Sequence, residues 1–148
     1  VDNEPYLIEY NVRMGDPECQ AILPLLKTDL VEIIIACFEK QLEEVEIDWF
    51  SKKSLCIVVC SKGYPDNYQN NIKIHNIKNI ITQNNQFIYQ AGTKNINNET
   101  FSNGGRVINF VVLSDNFKSS RDQAIELIKK LDWSNGFYRK DIGFRVID

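Results

Sequence analysis

Leu55-Cys56-Ile57-Val58-Val59-Cys60 is an unbroken apolar run near the middle of the 148-residue sequence. Its length and its β-branched residues predict a strand. The sequence after this run is rich in strand patterns, and it predicts further strands at residues 72–74, 87–91, 106–113 and 144–147. In residues 106–113, Val107, Asn109 and Val111 alternate with their neighbours. A helix is predicted at residues 117–131, where Ala124, Ile128 and Leu131 form an apolar stripe.

The sequence before this run has a different pattern. Residues 6–11 predict a strand, and Gly15-Asp16-Pro17 predicts the turn that follows it. Residues 30–42 predict a helix with Thr28 or Asp29 at its N-cap, and apolar residues on more than one side indicate that this helix is buried. Because residues 43–53 are charged, we place a domain boundary there. The prediction is an α+β fold with two units, residues 1–49 and residues 50–148.

The composition excludes several classes of function. The net charge is −3, which gives no overall basic field for holding nucleic acid or an anionic membrane. The apolar runs are far shorter than the roughly 20 residues that span a bilayer. The four cysteines form no CxxC pair and there is one histidine, His75, so the sequence argues against a zinc site. The cysteines lie mostly in apolar runs, which favours reduced thiols in the cytoplasm.

Glu9, Asn11 and Arg13 are spaced two residues apart, and on an extended segment such side chains point to the same face. A carboxylate and an amide can give two oxygen ligands to a hard divalent cation, and a guanidinium can neutralise a phosphate or carboxylate. Asp16 and Glu18 add acidic groups just beyond. The spacing alone also fits the polar outer face of a half-exposed strand, and that simpler interpretation stays open.

A second cluster contains glycines beside positive charge. Ala91-Gly92-Thr93-Lys94 ends one predicted strand, and Asn103-Gly104-Gly105-Arg106 begins another. Paired glycines allow a backbone to approach a ligand closely, but they are more common in a hairpin turn. Dinucleotide-binding and P-loop glycine motifs are absent from the sequence. Arg139, Asp141 and Arg145 form a third cluster, which we interpret as a salt-bridged surface or an interdomain contact.

Five segments, in order, resemble the phosphoribosylamine–glycine ligases, a family of the ATP-grasp class. The first is Glu9-Tyr10-Asn11-Val12-Arg13-Met14-Gly15-Asp16-Pro17-Glu18, which resembles the family pattern E-[FY]-N-x-R-x-G-D-P-E. The others resemble its G-Y-P, A-G-T, N-G-G-R-V and R-x-D-I-G-x-R segments, and they are Gly63-Tyr64-Pro65, Ala91-Gly92-Thr93, Asn103-Gly104-Gly105-Arg106-Val107 and Arg139-Lys140-Asp141-Ile142-Gly143-Phe144-Arg145. The resemblance covers nearly the whole chain.

The resemblance implies a reaction and a set of roles. Such ligases join glycine and 5-phosphoribosylamine with ATP to give glycinamide ribonucleotide, ADP and phosphate in purine biosynthesis, through a glycyl phosphate. By resemblance, Glu9 and Asn11 bind magnesium or manganese against the ATP phosphates, and Arg13 is the catalytic residue that contacts the transferred phosphate or the glycine carboxylate. Asp16 and Glu18 order the loop and the substrate amine. Lys94, Asn103 and Arg106 would face the substrate cleft.

The resemblance also implies an architecture. Residues 1–49 would form the end of an ATP-grasp domain, and residues 50–148 would form the small β-rich C-terminal domain. The family's N-terminal domain and lid are expected outside this sequence, so this piece alone is expected to be inactive. Two alternatives stay open: another ATP-grasp carboxylate–amine ligase, or a non-catalytic β-rich binding module. Scattering of Glu9, Asn11 and Arg13 over different surfaces would favour the module.

Overall fold

The computed structural model describes residues 4–147, and two antiparallel sheets organise it. The strands are β1 (Lys53–Ser61), β2 (Lys73–Ile74), β3 (Gln86–Gln90), β4 (Thr93–Ile96), β5 (Glu99–Ser102), β6 (Arg106–Ser114) and β7 (Gly136–Phe137). The larger sheet has the order β3-β6-β1-β7, and the smaller has the order β2-β5-β4. Strands at residues 55–60, 72–74, 87–91 and 106–113 are therefore confirmed to within a few residues.

Three α-helices accompany the sheets: α1 (Glu18–Ile22), α2 (Leu30–Glu39) and α3 (Phe117–Lys129). Short 3-10 turns occupy Leu23–Leu25, Leu42–Glu44 and Ile77–Asn79. The side chain of Asn116 caps α3 by accepting a hydrogen bond from the Ser119 N–H at 2.8 Å. The α+β class is confirmed. In the described range, none of these helices is long and apolar enough to cross a membrane.

The core lies between the larger sheet and α3. Along β1, Leu55, Ile57 and Val59 are buried and belong to the same apolar cluster as Ala124 and Leu127 of α3. The alternate β1 residues are only half-buried, and they face the side of the sheet that α1 contacts. The sheet is therefore covered by α3 on one face and partly by α1 on the other.

A β-bulge interrupts the pairing of β1 with β6. Val59 lies opposite Ile108, but Cys60 lies opposite Arg106, so Val107 is an extra residue on β6. Val107 and Ile108 both belong to the core cluster. Beyond the bulge the alternation is shifted by one, and Arg106 shares the α1 side of the sheet with Cys60.

The hairpin of β4 and β5 has no counterpart in the predicted strands. It turns through Asn97 and Asn98, whose φ angles of 48° and 64° are left-handed. A two-residue hairpin of this kind needs positive φ at both central positions, and asparagine tolerates that conformation. The two strands of this hairpin lack the apolar alternation from which the other strands are predicted. Here the asparagines supply the turn itself.

Two predicted strands are wrong. Residues 4–11 form no strand, and Ile8 and Val12 are 94% and 95% exposed. An extended segment becomes a strand only when a neighbour satisfies its backbone, and no described strand lies beside this one. Residues 144–146 form turns, which follow Gly143 at a φ of 80°.

The helix predicted at residues 30–42 ends at Glu39, and its predicted burial is wrong. Asp29 caps it by accepting from the Val31 N–H at 2.7 Å, as the sequence indicated. Ala36 is buried, but Phe38 is 85% exposed, and Val31, Ile34 and Ile35 are also exposed. The apolar pattern of α2 indicates which of its faces favours burial. Within residues 4–147, most of that face remains exposed to solvent.

Candidate functional site

The predicted site residues mostly meet at one cleft of about 230 Å³. It is lined by Glu9, Asn11, Arg13, Gly15, Asp16, Glu18 and Arg106. All come from the N-terminal part of the chain except Arg106, which begins β6. Glu9, Asn11 and Arg13 therefore converge and are not scattered over different surfaces.

The side chains of Glu9, Asn11 and Arg13 form a ladder of hydrogen bonds. Asn11 Nδ2 donates to Glu9 Oε1 at 2.8 Å, and Arg13 Nη1 donates to Asn11 Oδ1 at 2.9 Å. Arg13 Nη1 also donates to the Met14 carbonyl at 3.1 Å. The side chains share one side, as their spacing predicted, although no strand forms. Because all are exposed, the ladder stabilises the protein little, and its effect is to orient the oxygens.

The loop after the ladder is tightly packed. Gly15 is buried, and a Cβ there would lie 2.0 Å from Glu18 Oε2, so the Glu18 carboxylate packs directly over this glycine and would have to move if a side chain were added. The Gly15 carbonyl accepts from the Cys19 N–H at 2.9 Å. Gln20 Nε2 donates to Asp16 Oδ1 at 3.3 Å. The predicted turn is thus a compact entry into α1.

Arg106 joins the two parts of the chain at this loop. Its Nη1 donates to the Asp16 carbonyl at 3.0 Å, and its Nη2 lies 3.3 Å from Asp16 Oδ2. The two side chains are similarly half-exposed, at 42% and 40%. The guanidinium therefore contacts both the backbone and the carboxylate of Asp16.

Lys94 and Asn103 do not line the cleft. Lys94 lies on β4 opposite Phe101 of β5, and Asn103 donates its N–H to the Gly92 carbonyl at 2.7 Å. The glycine pair that follows Asn103 was open to interpretation as a hairpin turn. It instead connects β5 to β6, which belong to different sheets.

A second cavity of about 430 Å³ adjoins the cleft and shares Arg106 with it. Its other lining residues are mainly apolar, namely Pro17, Cys56, Val58, Cys60, Tyr64, Pro65, Phe137, Arg139 and Ile142. Sequence reasoning missed this cavity, although the Gly63-Tyr64-Pro65 and Arg139–Asp141 segments had been singled out. Their convergence depends on tertiary contacts that no local pattern contains.

The thiols of the second cavity are poor nucleophiles. Burial raises the pKa of Cys56 to about 12, and the negative charge of Asp16 contributes to that rise. Burial also raises the pKa of Cys60, while Arg106 opposes the change. Because the thiolate is the reactive form, the geometry does not support cysteine chemistry here.

The predicted ion pair is confirmed for Arg139, which lines the second cavity, and Asp141. Arg139 Nη2 lies 2.6 Å from Asp141 Oδ2, and Arg139 Nε donates to Oδ1 at 3.0 Å. The hydrogen bond from Arg139 lowers the pKa of the Asp141 carboxyl. Both side chains are well exposed, so the pair contributes little to stability.

Comparison with known proteins identifies the relatives of this chain. A family model described as phosphoribosylglycinamide synthetase, C domain, matches residues 54–145. The phosphoribosylamine–glycine ligase of Caldanaerobacter subterraneus subsp. tengcongensis is 41% identical over 138 residues, which cover 93% of this chain and 32% of that protein. The ligase of the same name from Fusobacterium nucleatum is 38% identical over 143 residues, covering 96% of this chain and 34% of that protein.

Two further relatives extend the comparison. A bifunctional purine biosynthetic protein of Dictyostelium discoideum is 39% identical over 143 residues, covering 96% of this chain and 18% of that protein. The crystal structure of phosphoribosylamine–glycine ligase from Thermotoga maritima matches with a TM-score of 0.70 and 26% identity, covering 96% of this chain and 34% of that one. The chain thus spans about a third of the length of the ligases it matches.

Proposed function

Because the chain belongs to the phosphoribosylglycinamide synthetase family, whose C domain it contains, we propose that it is the C-terminal part of a cytoplasmic phosphoribosylamine–glycine ligase. The proposed reaction uses ATP to join glycine and 5-phosphoribosylamine, giving glycinamide ribonucleotide, ADP and phosphate through a glycyl phosphate. Convergence of Glu9, Asn11 and Arg13 on one cleft with Asp16, Glu18 and Arg106 is the observation that carries this proposal.

The donor set at the cleft fits a magnesium or manganese ion. A site made wholly of protein ligands is not present, because residues 4–147 contain no group of three or more His, Cys, Asp or Glu side chains that could hold a metal. Magnesium commonly takes one or two protein oxygens and completes its shell with phosphates and water. Glu9 and Asn11 would supply a carboxylate and an amide oxygen, and the 2.8 Å hydrogen bond from Asn11 Nδ2 to Glu9 Oε1 holds these two exposed side chains side by side. When bound, the ion would supply neutralisation of phosphate charge.

The side chains of the cleft have distinct proposed roles. Glu9 and Asn11 hold the cation, and Arg13 binds the oxygens of the transferred phosphoryl group or of the glycine carboxylate, which a planar guanidinium suits. To do so, Arg13 must exchange its contacts with Asn11 Oδ1 and Met14 O for substrate oxygens. Asp16 and Glu18 order the loop and the amine of the second substrate. Lys94 and Asn103 stay as predicted substrate contacts.

The proposal extends to the rest of a longer protein. Residues 1–49 would complete an ATP-grasp domain, and residues 50–148 would form the C-terminal domain beside its active site. Two surfaces support this assignment: the exposed apolar face of α2, and the segment of residues 6–12 with its exposed apolar side chains. Exposed apolar surface on this scale is typical of an interface. The family's N-terminal domain and lid would cover it and would supply the adenine pocket.

Substitution of the proposed cation ligands tests the proposal in the intact ligase. Glu9→Gln and Asn11→Ala should each lower kcat for ATP-dependent condensation of glycine with phosphoribosylamine by about 100- to 1,000-fold, because stabilisation of transferred charge is lost. KM for glycine should change much less. Mn²⁺ binding to the nucleotide complex, followed by electron paramagnetic resonance, should weaken in both variants.

Glu43→Gln is the matched control, since Glu43 is an exposed carboxylate outside the cleft, and it should keep wild-type turnover. Wild-type turnover in both Glu9→Gln and Asn11→Ala would remove their proposed role. Replacing glycine with other small amino acids tests the remaining ligase alternative. A faster reaction with one of these would assign the protein to another carboxylate–amine ligase.

A further inference from the structure

Arg106 is a positively charged residue at the cleft, but its guanidinium is already engaged. Both terminal nitrogens face Asp16, one at 3.0 Å from the carbonyl and the other at 3.3 Å from the carboxylate. Asp16 lies ninety positions earlier in the chain. A guanidinium whose two terminal nitrogens already contact the protein has fewer free N–H groups with which to bind a substrate anion.

The β-bulge determines which way Arg106 points. Ile108 faces the core, and regular alternation would turn the side chain of Arg106 toward the core as well. The extra residue Val107 shifts the alternation, so Arg106 lies opposite Cys60 and faces the α1 side. Bulges commonly re-aim a side chain beside a functional site.

Close packing of glycines fixes the backbone on either side of Arg106. A Cβ on Gly92 would lie 2.5 Å from the Arg106 carbonyl, and the Gly92 N–H donates to that carbonyl at 3.0 Å. A Cβ on Gly105 would lie 2.1 Å from the Tyr64 ring. The Ser61 N–H donates to the Gly105 carbonyl at 2.8 Å. Three of the glycine-containing segments singled out in the sequence therefore form one rigid base for Arg106.

The partner of Arg106 in this contact, Asp16, belongs to the loop that follows the ladder of Glu9, Asn11 and Arg13. Asp16 comes directly after the buried Gly15, over which the Glu18 carboxylate folds. The loop in turn follows Arg13, which the ladder joins to Asn11 and Glu9. A displacement of Asp16 would therefore be passed to the oxygens of the ladder.

We propose that Arg106 is a positioning residue: it fastens the Asp16 loop to the C domain and so sets the position of Glu9 and Asn11. This inference rests on the proposed function, since it concerns the same cleft. It assigns Arg106 an action through Asp16 and not a direct contact with substrate. Misplacement of a catalytic group by about 1 Å can lower turnover by about 100-fold. Loss of the contact should therefore lower kcat and leave substrate KM nearly unchanged.

Arg106→Gln in the intact protein is the main test, with kinetics and amide exchange as the two measurements. We expect kcat to fall by about 10- to 100-fold, with KM for ATP and glycine changed less than about twofold. In the protein without substrates, exchange of the Cys19 N–H, which is bonded to the Gly15 carbonyl, should become about tenfold faster as the loop opens locally. Arg106→Lys keeps the charge and one donor group, so its kcat and its exchange rate at the Cys19 N–H should both lie between those of the wild type and Arg106→Gln.

A matched control is Lys73→Gln, which breaks the ion pair of Lys73 with Glu99 in the smaller sheet. The side chains of that pair are exposed to a similar extent, at 38% and 48%, and both measurements should match the wild type. Asp16→Asn removes the carboxylate partner but keeps the carbonyl acceptor, and it provides the same test if Arg106→Gln does not fold. It should give a smaller change in the same direction.

Two outcomes would overturn the inference. A raised KM with unchanged kcat would make Arg106 a substrate contact, and unchanged exchange of the Cys19 N–H would mean that the loop does not depend on it. The exchange measurement needs no ligase activity. Faster exchange in a protein that proves not to ligate glycine would support the coupling of Arg106 to the loop while overturning the proposed reaction.

Discussion

The helices α2 and α3 are opposites in composition and burial. α2 has the sequence LVEIIIACFE, which is almost wholly apolar, yet Ala36 is its one buried residue. α3 has the sequence FKSSRDQAIELIK, which is largely polar, yet Ser120, Ala124, Leu127 and Ile128 are buried. The apolar content of a helix therefore indicates how much of its surface must be buried. What buries that surface depends on the rest of the fold.

The same contrast separates the two parts of the chain. Among residues 4–50 only Gly15 and Ala36 are buried, whereas β6 alone buries seven consecutive residues. The family match also begins at residue 54. The C-terminal part therefore has its own core, whereas the N-terminal part leaves many large apolar side chains exposed.

The largest expected difference between the parts is in the reactivity of their thiols. Cys37 of α2 is exposed, whereas Cys56 of β1 has a pKa of about 12. At pH 8 such a thiol is almost wholly protonated, and the thiolate is the form that reacts. We expect iodoacetamide to alkylate the exposed Cys37 more than about 100 times faster than the partly buried Cys56, as measured by mass spectrometry of the peptides.

The pH dependence of this labelling has a definite sign. Because its pKa is raised, Cys56 should gain reactivity as pH increases from 8 toward 11. In denaturant the two thiols should react at similar rates, which controls for peptide effects. Equal rates in the folded chain would contradict the difference in burial between the two thiols. In the proposed full-length protein, slower labelling of Cys37 than in this chain would support an interface that covers α2.

Truncating one apolar side chain in α3 and one in α2 should lower the free energy of unfolding by amounts that differ by a few kcal/mol. Leu127→Ala removes a buried side chain of α3 and should lower the free energy of unfolding by about 2–5 kcal/mol. Ile34→Ala removes a side chain of α2 that is 46% exposed, and it should change that free energy by less than about 0.5 kcal/mol. Urea unfolding of the chain measures both. A large loss from Ile34→Ala would mean that α2 is packed after all.

Removal of the N-cap side chains should give the smallest difference in stability between α3 and α2. Asn116→Ala removes the hydrogen bond to the Ser119 N–H and should cost about 1 kcal/mol of global stability. Asp29→Ala removes the corresponding bond to the Val31 N–H, but it should act locally because α2 carries little of the core. Its effect should appear as faster amide exchange within α2. Equal losses of global stability in the two variants would contradict the contrast.

The sequence predicted those elements whose stabilising contacts lie within a regular apolar pattern. The strand at Leu55 and the helix at Ala124 are predicted in this way, and Asp29 is one of the two N-cap candidates, with Thr28, that the sequence indicates. Residues 6–11 were assigned to a strand on local pattern, but a strand requires a partner for its backbone. The hairpin of β4 and β5 is absent from the predicted strands because its sequence has no apolar alternation.

The candidate site was predicted to a similar extent. The two-residue spacing of Glu9, Asn11 and Arg13 correctly placed their side chains together, and Arg106 was expected beside them. The family resemblance also implies Lys94 and Asn103 at the substrate cleft, but they do not line the cleft that contains Arg106. Their actual positions depend on which strands pair. The bulge at Val107 could not be foreseen, because nothing in the sequence distinguishes it from regular alternation.

Compared with a strand one residue shorter, the extra residue in β6 adds a side chain to the core without changing the side of the sheet on which the arginine lies. Val107 and Ile108 both face the core, and Arg106 remains opposite Cys60. Deleting Val107 would restore regular alternation and leave the arginine head group on the same side. Among homologous proteins, a one-residue gap at Val107 should therefore be tolerated more readily than a charged residue there, because a charged side chain would enter the core.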